Sequence, residues 1–182
     1  MTKFLLQLLL GFCVVSAVHA YDPLSTDDRN DYVEPDELWQ EDAVTVPKQY
    51  DPDDLQSFST KDASDRFSYA IERKSIVSGK DGVARFLVVI RSSQGAINSS
   101  YEGLRCGHRE YKVYAYGSEQ GLTPLPDSEW QPLPISAHDY RATLYEDLVC
   151  NLTTGVPNPS NAVLQAMRGN RRVDAPFIVS PH

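Results

Sequence analysis

The chain has 182 residues, 41% of them hydrophobic, and a formal net charge of −8 at pH 7, which fits one globular domain with additional terminal segments. The acidic total and the lack of a recognition motif argue against a nucleic-acid partner, for which a basic surface supplies most of the affinity.

The first twenty residues, MTKFLLQLLLGFCVVSAVHA, carry a positive charge at Lys3, an apolar run from Phe4 to Val18 and a small-residue cleavage signal at Val18-His19-Ala20. This is the plan of a secretory signal peptide. The run is shorter than the roughly 20 residues that cross a bilayer, so cleavage after Ala20 and no stable membrane span are expected. Residues 21–42, YDPLSTDDRNDYVEPDELWQED, combine dense negative charge with two prolines and few aliphatic side chains, the composition of a disordered acidic arm. Leu38 and Trp39 are its candidate anchors to a single domain over 43–182.

Pro47 and Pro52 interrupt the next apolar residues, so a strand there is expected to be short and near an edge. Phe67, Tyr69 and Ile71 alternate with Ser68, Ala70 and Glu72, the period of a half-buried strand. Gly79-Lys80-Asp81-Gly82 reads as a hairpin turn into a central strand over 83–91, where Ala84, Phe86, Val88 and Ile90 make one wholly apolar face. A turn at Ser92–Gly95 leads to a more polar strand over 96–106, in which Gly103 marks a bulge or a close backbone approach. A strand over 110–116 completes an antiparallel meander, with Tyr111, Val113 and Ala115 on one face and Tyr114 and Tyr116 on the other.

A Pro-rich loop is expected at 122–134. Beyond it Tyr140, Leu144 and Leu148 repeat every four residues on one helix face, with Asp139 at the helix start, where a carboxylate favours the dipole. Asn158-Pro159-Ser160 opens a second short helix with Val163, Ala166 and Met167 as its apolar stripe and Gly169 as its stop. The fold class is therefore α+β: an antiparallel sheet of four or more strands followed by short C-terminal helices. In an exported chain the even pair Cys106 and Cys150 reads as one disulfide. Cys106 and His108 lack the paired spacing of a zinc motif, and neither a metal nor another cofactor is expected.

Several of these stretches occur together in a known family. EDAVTVP at 41–47, VSGKDGVARF at 77–86, SYEGLRC at 100–106, YAYG at 114–117, Trp130 and LYEDLVC at 144–150 resemble the CNP-one-like family, and the resemblance runs from about Glu41 to Met167. It implies an exported protein of a Gram-negative bacterium, located in the periplasm, from a family without an established activity. It carries over no catalytic residue.

The densest polar cluster is Tyr101, Glu102, Arg105, His108, Arg109 and Glu110. His108 beside Glu102 or Glu110 would be the working pair of a small periplasmic hydrolase. Against this, Cys-Gly-His-Arg reads as a solvated turn at a disulfide corner, with Glu102 and Arg105 as a structural ion pair. No serine lies in a Gly-x-Ser-x-Gly turn, and GKDGVAR lacks the phosphate-loop spacing. Arg73, Lys74, Arg85, Arg91, Arg105, Arg109 and Lys112 all fall in the sheet region and offer a basic face to an envelope anion or to the acidic arm. The favoured function is a non-enzymatic binding or accessory protein of the cell envelope, whose partner is an envelope protein or an anionic ligand; the hydrolase is the alternative.

Overall fold

Two glycine-bearing turns set the architecture. In the computed structural model, which describes residues 39–61, 66–118, 120–134, 136 and 139–169, the Gly79–Gly82 turn joins β3 (Val77–Ser78) to β4 (Val83–Ser92). The Ser92–Gly95 turn joins β4 to β5 (Ile97–Arg105). Gly82 and Gly95 have φ of 81° and 91°, left-handed values that cost glycine nothing and a larger residue a steric clash. The signal segment, the arm over 21–38 with Leu38, and His138 lie outside the described residues.

β4 is central, as its apolar face requires. It pairs antiparallel with β5 from Val83↔Arg105 to Arg91↔Ile97, and on its other edge with β2 (Phe67–Glu72) and the short β3. β1 (Leu55–Phe58) closes one side, and β6 (Glu110–Ser118) with β7 (Gly121–Pro124) the other, giving the order β1-β2-β4-β5-β6-β7. β8 (Gln131–Pro132) pairs with the start of β6. The expected loop over 122–134 thus supplies two short edge strands, where proline's missing N–H costs no interior ladder bond.

Each face of the sheet has its own cover. On one, Ala84, Phe86, Val88 and Leu104 pack against Tyr140, Leu144, Leu148, Val149, Val163 and Met167; this is the helix face. On the other, Leu87, Val89, Tyr101, Tyr114 and Ala115 pack against Tyr50, with Val44 and Val46 beside it. Residues 39–50 therefore form an extended strap with no regular secondary structure of their own.

The expected alternation along β6 breaks at a bulge. Tyr101 pairs with Ala115 but Glu102 pairs with Val113, so Tyr114 is an extra residue and the faces exchange beyond it. Ala115 consequently sits with Tyr101 under the strap, while Tyr116, paired with Ser100, is on the helix face; Tyr114 and Tyr116 do not share a side. Gly103 marks a close approach of a side chain rather than of backbone: a Cβ there would meet the Tyr114 hydroxyl at 2.6 Å.

The helical layer starts at Asp139, whose carboxylate accepts from Arg141 N at 2.9 Å and caps α1 (Tyr140–Thr143). The helix widens into a π-helical stretch, Leu144–Val149, that keeps Tyr140, Leu144 and Leu148 buried together. β9 (Cys150–Asn151) and β10 (Val156–Pro157) form a small hairpin before α2 (Ser160–Gly169). α2 buries Val163 and Met167 with Leu164 half-buried beside them; Ala166, expected in this stripe, is exposed. The Cys106–Cys150 disulfide, with its Cα atoms 5.4 Å apart, fastens the end of β5 to the end of the π-helical stretch. Among the described residues no helix is long and apolar enough to cross a membrane.

Candidate functional site

A carboxylate in the middle of a strand, under a helix, needs partners. Glu102 is 0% exposed and has four donors. Arg141 gives Nε to Oε2 at 2.7 Å and Nη2 to Oε1 at 2.8 Å, the forked geometry in which guanidinium and carboxylate match. The Tyr140 hydroxyl donates to Oε1 at 2.6 Å and the Ser100 hydroxyl at 2.5 Å. Arg141 also lies 4.5 Å from the centre of the Tyr111 ring and 4.6 Å from that of Tyr140. Burial lowers its pKa, but the Glu102 carboxylate, joined by Tyr140 and Asp139, raises it above the usual value and holds the guanidinium charged. Burial, then the same carboxylate, pushes the Tyr140 hydroxyl well above its usual range.

Above this buried network the helix face opens to solvent. Tyr116 is 52% exposed, and burial with the nearby Glu102 charge raises its pKa. Pro134, Ser136, Asp139, Tyr140 and Arg141 line a shallow hollow at the start of α1. The result is an aromatic surface around a compensated ion pair.

The opposite face carries a second set of cations. Arg85 pairs with Asp81, Lys112 Nζ lies 3.0 Å from Glu41 Oε2, and Arg105 stacks 3.9 Å from the centre of the Trp39 ring. Trp39 Nε1 donates to Asp81 O at 2.8 Å, and its ring meets Trp130 edge to face at 5.9 Å. Trp39 is thus an anchor, as expected, and residues 39–42 of the span assigned to the arm are held on the sheet. Arg73 and Lys74 instead pair with Asp54 and Asp51 near the outer strand β1, so the basic residues of the sheet region do not form one face.

The sequence-derived cluster is likewise divided. Tyr101 lies under the strap, Glu102 beneath α1, and His108 is exposed in the turn after β5. Arg105 pairs with Glu110 at 3.3 Å rather than with Glu102, whose partner is Arg141. Arg109, in the left-handed region at φ 55°, reaches Glu146 at 3.1 Å, and Tyr145 donates its hydroxyl to Cys106 O at 2.9 Å. These contacts and the disulfide pin the turn to the helical layer. Among the described residues no group of three or more His, Cys, Asp or Glu side chains is placed to hold a metal ion.

Sequence reasoning missed Ser100, Tyr140 and Arg141 as members of the Glu102 network. The one signal available was the Tyr-Arg pair following a capping aspartate, with Tyr140 already assigned to the buried stripe.

A family model, the CNP1-like family, matches residues 34–168, a span that starts upstream of Glu41 and takes in the strap, the meander and both disulfide cysteines. No curated protein and no solved structure matches the chain.

Proposed function

This chain belongs to the CNP1-like family, and we propose that it is an exported, non-catalytic binding or accessory protein of the cell envelope that meets its partner through the aromatic end of the helix face. The observation that carries this reading is Tyr116, half exposed over a base made rigid by the Glu102–Arg141 pair. A tyrosine already held by a sheet loses little freedom on contact, and it offers an apolar ring together with a hydroxyl. Arg141 is shared between Glu102 and Asp139, so its positive charge is compensated within the chain and the surface beside Tyr116 offers a ring face and polar edges. Both oxygens of Glu102 are engaged by donors of the chain itself, which leaves the pair a structural role beneath the surface. Export is supported by the signal-like plan of residues 1–20 and by the disulfide, a bond that persists in oxidising compartments.

The test is affinity capture from an envelope extract with the chain from Tyr21 onward, run beside Tyr116→Ala and beside the double variant His108→Ala/Arg109→Ala. One envelope protein enriched by the parent and the double variant, and lost with Tyr116→Ala, is the expected outcome. Loss with the double variant alone would move the contact to the disulfide corner. A parent that enriches nothing would defeat the binding reading.

A further inference from the structure

On the strap face two carboxylates meet the donors: Asp81 takes both Nη atoms of Arg85, and Glu41 takes the others. The Tyr114 hydroxyl donates to Glu41 Oε1 at 2.5 Å, Lys112 Nζ to Oε2 at 3.0 Å, and Arg85 Nη2 stands 3.6 Å from Oε1. Two further donors are buried without an acceptor among the described residues: Arg85 Nε and Trp130 Nε1. Arg85 as a whole is 4% exposed, so its orphaned N–H is not directed to solvent. Lys112 Nζ lies over both the Tyr114 and Trp130 rings, at 5.5 and 5.8 Å, and Trp39 closes the rim. Around Glu41 the strap is fastened by side-chain contacts, Trp39 to Asp81 O and Asp42 N to Asp81 Oδ2.

We propose that Arg85, Lys112 and Tyr114 form a carboxylate-binding site that Glu41 fills from within the chain, and that a carboxylate presented from outside takes when residues 39–42 lift. An ammonium and a phenol bonded to one carboxylate, with the Asp81-paired guanidinium of Arg85 3.6 Å from it, are the chemistry of carboxylate recognition, and the Trp130 indole, which stays in place when residues 39–42 lift, keeps water from one side and strengthens each bond. Glu41, tethered beside the site, acts at a high effective concentration. An external carboxylate therefore binds the parent weakly and a chain without Glu41 more tightly. The site is on the face opposite Tyr116 and stands whether or not that surface binds a partner.

The chain's two tryptophans, Trp39 and Trp130, both border the site, so their emission reports on it. The experiment titrates the full chain, parent and Glu41→Ala, with sodium acetate and with a tetraglutamate peptide, at an ionic strength fixed by chloride. Glu41→Ala is expected to show a saturable change in emission and a rise in Tm with acetate. The parent should need at least about tenfold more, since the tethered carboxylate competes, and Lys112→Met in the Glu41→Ala chain should remove the response. A peptide response at much lower concentration than acetate assigns the external carboxylate to an acidic peptide; equal concentrations assign it to a small free acid. Parent and Glu41→Ala titrating alike, a folded variant with no response, or chloride reproducing the effect would each overturn the proposal. Glu41→Gln, which keeps the side chain's volume and loses its charge, serves if the alanine variant does not fold.

Discussion

Glu102 shows how one buried charge dictates its surroundings. An ionised carboxylate removed from water is tolerated only with a cation and further donors around it, and Arg141, Tyr140 and Ser100 meet that need. Arg141→Ala leaves the charge uncompensated, and we expect a loss of about 3–5 kcal/mol in urea unfolding at pH 7. Arg109→Ala, which breaks a largely solvated pair with Glu146, should cost about 0–1 kcal/mol. Equal losses would mean that water reaches Glu102 once Arg141 is gone. The sequence makes Glu102 visible as a polar residue in a strand but suggests the wrong partner. Arg105 is nearer in the chain, yet residues three apart in a strand point to opposite faces. The true partner lies 39 positions away, on an element whose rotation about its axis local periodicity does not fix.

At the scale of elements, turns and periodic strands are legible because their signals are local. Glycines mark both hairpin turns, and the four-residue repeat of Tyr140, Leu144 and Leu148 marks the buried helical face although its backbone turns out partly π-helical. The β6 bulge and the strap are not legible, since one depends on the fit of Tyr114 against Gly103 across strands and the other has no periodicity to read. Strap docking should depend on pH. Burial raises the Glu41 pKa, but its bonds to Tyr114 and Lys112 and the nearby Arg85 charge bring the net value below the ordinary 4.5. A lowered carboxylate pKa stabilises the fold fully above 4.5, and that contribution is lost as pH falls through the folded value. Glu41→Gln should therefore be less stable than the parent by roughly 1–2 kcal/mol at pH 7, the low end for bonds to a charged group because the site is partly open to solvent. The gap should close as pH drops below 4.5, measured by urea unfolding across that range; a gap that stays constant with pH would show that the Glu41 charge does not hold the strap.

For the molecule as a whole, the disulfide adds a covalent cross-link between the sheet and its helical cover to the backbone that already joins them. Cys106 and Cys150 are 44 residues apart, and closing a loop of that size restricts the unfolded chain by about 4 kcal/mol. Reduction, or the Cys106→Ala/Cys150→Ala pair, should lower unfolding free energy by roughly 2–5 kcal/mol, read from urea curves with and without reductant. A change well below that would mean that Tyr145 and Glu146 already hold the corner unaided. The sheet's margins carry a different consequence. β1 and β7 are four residues long, β3 and β8 two, and Pro124 and Pro132 occupy the margin beyond β6. Short, proline-bearing margins give an incoming strand little backbone to pair with. Neighbouring copies are thus discouraged from fusing sheet to sheet, and among the described residues the faces of the large sheet offer more to a partner than its edges do.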